Sequence, residues 1–436
     1  MASDRDVEAH ASSQELFDRF VERSWRSNAL RQRNKGVEFV IGRRENAYLW
    51  NIEGTKRVID CGTGGGVHSL GHRHPEVVST LKRAIDDGRD TGLWSFPNEP
   101  YLLLQDELTR LAPSPGLDRS VVTHASTVSV DVAAMFAFRV THRKKILAYR
   151  HGYHGHSGFA ALVTGSSEEG VIGYYHLPTE HSEFLDTYGD IGELREKLAG
   201  DIAAVILEPM QYETFAPADP SYLPAVAAAC RERGALFIID ETRTGLGRTG
   251  RLWGIEHCGA CPDMLITGKG LSGGMYPVSA LLMTQPIYDR CMNEHQYAYI
   301  SSLGGNEIAC VVARRVLELS SDPAFLGHVR QASRWLEKTL DATCRKHGDL
   351  LAPGTTWGCV ATVQVKSPAL APRLFRAAFD EGVLCHSVSV IDPTVLKLLP
   401  PLVIDEKVVE EIGAALDRAA HRVRNEVRSS SAGIPA

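Results

Sequence analysis

Lys269 is the residue whose chemistry stands out in this chain. It lies in Gly268-Lys269-Gly270-Leu271-Ser272-Gly273-Gly274, directly after the apolar run Met264-Leu265-Ile266, and is the single lysine between Lys197 and Lys338. A lysine among glycines at a strand end leaves the backbone open to a large planar ligand. Its amine can also be deprotonated to act as a nucleophile, which a guanidinium cannot. Taken alone, the segment fits a solvated lysine in a turn equally well. Upstream, Ala235-Leu236-Phe237-Ile238-Ile239-Asp240 reads as a buried parallel strand ending in a carboxylate. Open α/β sheets gather ligands at such carboxyl ends. Asp240 precedes Lys269 by 29 residues, room for a loop, a short strand and a second loop at one sheet edge. An isolated aspartate would also serve as a helix cap or a surface ion pair.

An acid and an amine at the same edge suit pyridoxal phosphate. The lysine carries the aldehyde as a Schiff base, and the aspartate keeps the pyridine nitrogen protonated so that the ring accepts electrons. The surrounding run Asp240-Glu241-Thr242-Arg243-Thr244-Gly245-Leu246-Gly247-Arg248-Thr249-Gly250, followed by Pro262-Asp263 and Lys269-Gly270-Leu271, resembles the class III aminotransferases. The resemblance extends from about Gly36 to about Arg422. It takes in Gly71-His72-Arg73-His74-Pro75, Tyr153-His154-Gly155-His156, Glu208-Pro209-Met210-Gln211, Gly304-Gly305-Asn306 and Leu399-Pro400-Pro401-Leu402. The order and spacing of these motifs carry it, not any one of them. It implies an α/β protein of the fold type I PLP-transferase class, with a mostly parallel, helix-covered sheet in a large domain and a smaller α+β domain.

The same resemblance distributes the site. Tyr153, with His154 beside it, matches the residue that stacks on the cofactor ring. Ala125-Ser126-Thr127-Val128-Ser129 stands where the family has a phosphate-binding Ser-Gly-Thr-Glu-Ala run, so Ser126 and Thr127 become the candidates for an anion cradle at a helix N-terminus. Ser126 replaces a glycine and Val128 a glutamate, which is the largest departure in the chain. Ser302 matches a threonine that reaches the phosphate of a neighbouring subunit, implying a homodimer with shared active sites. Glu208 resembles an acid close to the ring, although a capping or solvated carboxylate reads the same. Thr242 stands where valine packs on the ring. Arg243 replaces a glutamine that meets the phenolic oxygen, where a guanidinium would stabilise the phenolate; a surface arginine in a turn is the alternative. Lys397 occupies the place of a carboxylate-gripping arginine and offers a point charge instead of a fork. Glu213 matches a gate glutamate and pairs with Lys397 on this reading, unless both are simply solvated. Trp94 is read as a wall of the substrate pocket or as core.

Composition narrows the remaining classes. With 436 residues, 44% hydrophobic and 23% charged, the chain can bury a large core and a second lobe. A net charge of −6 without a basic block points away from nucleic acid and anionic membranes. No apolar run of roughly 18 residues occurs, and Met1-Ala2-Ser3-Asp4-Arg5-Asp6 is not a secretory signal. Nine scattered cysteines suit a reducing cytoplasm. Cys258 and Cys261 have zinc-like spacing but no second pair, and His154 and His156 lack a local carboxylate, so no metal is expected.

Three regions follow: 1–70, an N-terminal segment contributing to the small domain; 71–325, the large cofactor-binding domain; and 326–436, the C-terminal small domain. Strands are expected at 38–41, 47–50, 58–60, 121–122, 146–148, 204–207, 236–239, 265–266, 360–363 and 395–398. Helices are expected at 15–21, from Pro75, at 126–139, 308–319 and 324–346, from Pro368 and from Asp405. The polar ends, to about 12 and from 429, are expected to be mobile.

The function expected is amino-group exchange between an amine or amino-sugar-like substrate and a carbonyl acceptor, by a ping-pong route, in bacterial secondary metabolism. Two rivals stand beside it. One is the same fold used for epimerisation, aminomutation or elimination. The other is a noncatalytic binding protein with a degraded phosphate loop.

Overall fold

The computed structural model describes residues 12–90, 92, 96–165, 170–295 and 297–432. Trp94, residues 1–11 of the first polar end and residues 433–436 of the last lie outside these residues. Three strands open the chain: β1 (Ile41–Glu45), β2 (Tyr48–Asn51) and β3 (Arg57–Cys61). The strand expected at 38–41 begins only at Ile41, where pairing to β2 becomes available from Ile41↔Asn51 to Glu45↔Tyr48. Phe39 instead packs edge-on against Phe379, with ring centroids 5.9 Å apart.

The central sheet has seven strands: β4 (Arg119–Thr123), β5 (Lys145–Tyr149), β6 (Ser182–Leu185), β7 (Ile202–Leu207), β8 (Leu236–Asp240), β9 (Met264–Thr267) and β10 (Ser279–Met283). Their spatial order is β4-β10-β9-β8-β7-β5-β6. The run β9-β8-β7-β5-β6 is parallel, while β10 lies antiparallel to both of its neighbours. Every residue of β7 is buried, as a parallel strand covered on both faces requires. Neither β6 nor β10 was expected: β6 opens with Ser182-Glu183 and carries little apolar signal, and the short apolar run of β10 does not distinguish a strand from a buried helical turn.

Beyond this sheet come β11 (Leu351–Thr356), β12 (Ala361–Val365), β13 (Val383–Cys385), β14 (Ser387–Val388) and β15 (Val395–Leu398). Four of them form the antiparallel sheet β11-β12-β15-β14. β13 instead pairs in parallel with β3, so strands from the beginning and the end of the chain share one sheet. The helix Pro323–Lys346 covers this region through Val329, Ala332, Leu336 and Leu340, spaced three and four apart on one buried stripe. The helix expected from Pro368 starts at Ala371 instead. Residues 367–370 form a turn closed by Leu370 N–H to Ser367 O, and Pro372 is the proline in the first helical turn. The last helix runs to Ala432, into the end expected to be mobile. Among the described residues, no helix is long and apolar enough to cross a membrane.

One side chain ties these parts together. Arg248, on the loop after β8, is fully buried. Its guanidinium donates to Cys359 O at 3.1 Å, to Pro400 O, and to Ser69 Oγ at 3.0 Å. Burial lowers its pKa to about 10, so it stays charged at neutral pH. Replacing it strands buried carbonyls that have a charged donor. Arg248→Ala should therefore destabilise the protein by about 3 kcal/mol, read as a lower urea midpoint; an unchanged midpoint would show that the clasp contributes nothing.

Candidate active site

Four neighbouring strands of the central sheet deliver the expected residues to one edge. β5 leads to Tyr153 and His154, β7 to Glu208, β8 ends in Asp240, and β9 leads through Gly268 to Lys269. Parallel strands end on the same side, so residues far apart in sequence converge at their carboxyl ends. Glu241 braces the loop that follows, accepting from the Thr244 hydroxyl, Gly254 N–H and Ile255 N–H.

At the centre is a buried ion pair. His154 Nδ1 lies 2.8 Å from Asp240 Oδ2, with side-chain exposures of 1% and 4%. Burial alone would favour the neutral form of each. The hydrogen bond and opposite charge overcome it, raising the histidine pKa and lowering that of the aspartate. Thr242 N–H adds a bond to Asp240 Oδ1 at 3.0 Å. Glu208 behaves differently: burial raises its pKa despite nearby His154 and Arg243, and its Oε2 accepts from Tyr153 N–H at 3.1 Å.

Lys269 sits beside this pair in a left-handed backbone conformation, φ +43°. Burial and then the positive charge of Arg243 lower its pKa to about 7, against the pull of Asp240 and Glu208. A substantial fraction of this amine is therefore neutral at physiological pH. Its Nζ is 5.7 Å from the centroid of the Tyr153 ring.

The candidate cradle is the first turn of the helix Ser126–Thr141, whose N-cap Ala125 has no capping side chain. The first-turn N–H groups are thus left for an anion. Both hydroxyl side chains pack on glycines: Ser126 Oγ fills the space a Cβ would take on Gly268, and Thr127 Oγ1 lies 2.5 Å from that position on Gly155. The bulk gained at 126 is accommodated by this close contact with Gly268.

Arg243 is not a surface residue but is 6% exposed. Its Cζ stands 4.3 Å from the Tyr212 ring centroid and 5.5 Å from that of Phe215. Nε and Nη1 are buried with no acceptor among the described residues, so a bound ligand can supply the missing oxygen. Lys397 and Glu213 do pair, at 3.3 Å and with exposures of 1% and 3%, and are not solvated. Glu213 also accepts from Ser389 Oγ and Val390 N–H. Burial brings Lys397 to a pKa of about 8, opposed by Glu213.

Ser302 is placed elsewhere, on a cavity of about 210 Å³ lined also by Gly92, Pro97, Asn98 and Gly305. Trp94 lies outside the described residues. Three site residues escaped the sequence reading. Tyr212 stacks on Tyr153 at 4.8 Å, Phe215 stacks on His386 at 5.5 Å, and Lys397 Nζ faces both Tyr212 and Phe215. Tyr212 adjoins Gln211 and Glu213, both already marked, which was the available signal. His386 had none.

Known proteins resemble this chain over most of its length. The family model "Aminotransferase class-III" matches residues 30–420. An uncharacterized aminotransferase of Archaeoglobus fulgidus is 35% identical over 395 residues, 89% of this chain and 90% of that protein. The acetylornithine aminotransferase of Pseudomonas putida is 30% identical, covering 87% and 91%. In fold, the chain is similar to the ornithine aminotransferase of Toxoplasma gondii, with a TM-score of 0.84, 24% identity and coverage of 96% and 97%. These findings confirm the expected fold class and set aside the noncatalytic alternative. The chain belongs to the class III aminotransferases, fold type I enzymes that depend on pyridoxal phosphate.

Proposed function

We propose that this enzyme exchanges an amino group between an amine or amino-sugar-like donor and a carbonyl acceptor by a ping-pong cycle. We place it as a cytoplasmic homodimer in bacterial secondary metabolism. The observation that carries the substrate class is the buried Lys397–Glu213 pair. A lone ammonium already held by a carboxylate is a poor clamp for the α-carboxylate of an amino acid, which calls for a free guanidinium fork. Nine free cysteines favour a reducing compartment, and Ser302, set apart from Lys269, suits service to a neighbouring subunit.

Pyridoxal phosphate, when bound, supplies an aldehyde and an electron sink; the chain's own residues do the rest. Ser126 and Thr127 would hold the phosphate, Tyr153 and Thr242 the ring faces, and the unpaired donors of Arg243 the phenolic oxygen. Asp240, kept ionised by His154, would keep the ring nitrogen protonated. Glu208 adds a carboxyl beside that pair. Lys269, partly neutral near pH 7, would take a proton from the amine-bearing carbon of the substrate and return it to the cofactor's C4′ carbon. Arg243 also supports the epimerisation, aminomutation and elimination alternatives, because a stronger hold on the phenolic oxygen would change which bond forms or breaks next at the substrate. Deuterium incorporation or elimination in D2O without amino exchange would decide for one of those.

The apoenzyme should capture pyridoxal phosphate with a rate that rises through pH 7, as Lys269 loses its proton. Arg243→Gln removes the neighbouring positive charge and should move that midpoint upward. A wild-type midpoint near that of free lysine, or a downward move, would refute the electrostatics.

Isopropylamine or glucosamine should discharge the near-visible absorbance of the holoenzyme faster than glutamate does, while Lys269→Ala lacks that absorbance altogether. Faster discharge by glutamate would overturn the substrate class. Light scattering should give twice the 47.7 kDa chain mass; a monomer that retains full activity would end the shared-site proposal.

A further inference from the structure

The glycine run 64–66 meets Lys269 in a way the reading above does not use. Gly65 stands at φ +69°, and a Cβ there would lie 3.8 Å from Lys269 Nζ and 4.0 Å from His386 Cε1. At Gly66, φ +110°, a Cβ would lie 4.0 Å from Lys269 Cδ and meet nothing else within that range. Both conformations favour glycine, so the backbone itself keeps the flank of the lysine clear. The clearing is held in place from several sides. Asp60 Oδ1 accepts from Gly62 N–H at 2.9 Å and Thr63 N–H at 2.8 Å, Asp60 Oδ2 meets His72 Nε2 at 2.9 Å, and Thr63 Oγ1 donates to Leu399 O at 3.0 Å.

Across the clearing, His386 is fixed by its stack on Phe215 and by its own N–H to Lys397 O at 2.9 Å. Burial and the charges of Arg243, Lys397 and Lys269 push its pKa well below the usual histidine value, so the imidazole is neutral. A neutral imidazole carries one N–H and one bare ring nitrogen, and the bare nitrogen is an acceptor. Its cationic neighbours Arg243 and Lys397 can only donate. An acceptor in that company selects a ligand carrying a donor.

We propose that Gly65 and His386 form a substrate-recognition subsite facing Lys269, one that takes an amine on a branched carbon bearing an adjacent hydroxyl or similar donor. Gly65 admits the branch, and His386 accepts the hydrogen bond. The proposal rests on the amine-transfer reading and narrows its substrate class.

The test compares 2-amino-1,3-propanediol, 2-aminopropane and 1-aminopropane as donors to the holoenzyme, following the first half-reaction by absorbance. The second-order rate constant should favour the diol over 2-aminopropane. His386→Phe should lower that ratio at least about tenfold, since a site built for a polar group discriminates by its pairing. His386→Gln, which keeps an acceptor, should recover part of it. Gly65→Ala should penalise the diol more than 1-aminopropane. Gly64→Ala controls for backbone strain, because Gly64 has φ +59° but faces Val67 and His68, and it should leave the ratio where it was. Independently of turnover, the diol should shift the ring-nitrogen resonance of His386 in histidine-labelled protein, and 2-aminopropane should not. Ratios unmoved by the His386 and Gly65 changes, or a silent His386 resonance, overturn the subsite alone. If none of the three amines reacts, the transfer reading falls and takes the subsite with it.

Discussion

Asp240 could not do its work without His154. A carboxylate that is 4% exposed ordinarily takes up a proton, because low-dielectric surroundings penalise its charge. The imidazole 2.8 Å away reverses this by sharing the same enclosure and carrying the opposite charge. Lys269 lies in the same pocket with the contrary outcome: its near neighbours include the Arg243 cation, and burial and repulsion together favour the neutral amine. One environment thus holds an acid ionised and a base partly unprotonated, and the partner beside each group makes the difference. Tyr153, Glu208 and the helix N-terminus at Ser126 gain their meaning from standing around that contrast.

Much of this was legible because the parallel sheet writes itself plainly. Strands buried on both faces appear as continuous apolar runs, and the residue ending each run is carried to the sheet edge. Asp240 was read from this rule, Lys269 from its glycines, and Glu208 from the family resemblance. The ends of Pro323–Lys346 were also readable, since a proline at its start and a stripe of buried residues mark them. β10 was not, because strand direction depends on which neighbours a strand finds in space and leaves no local trace.

The substrate side was less readable for a related reason. His386 follows a three-residue strand whose partner, β3, lies more than three hundred positions upstream. Nothing within its own segment marks it. Tyr212 was passed over although both of its neighbours in sequence had been marked, because aromatic stacking is a property of two loops at once. Arg243 shows the opposite case. As a residue type it leans toward the surface, yet the rings of Tyr212 and Phe215 give its planar cation a surface to lie on and keep it inside.

The two sides of the pocket have different structural origins. Asp240, Glu208, Tyr153, His154 and Lys269 all come from the central sheet, where moving one strand would disturb every other. Gly65, His386 and Lys397 come from the segments around β3, β13 and β15, which belong to the other two sheets. Arg248 joins the two parts by contacts to Ser69, Cys359 and Pro400. On the proposed assignments, a substitution at 65, 386 or 397 would alter what can approach the lysine without moving the aspartate. On the same assignments, such a division would let one sheet keep the proton chemistry constant while the adjoining lobe sets which amine arrives.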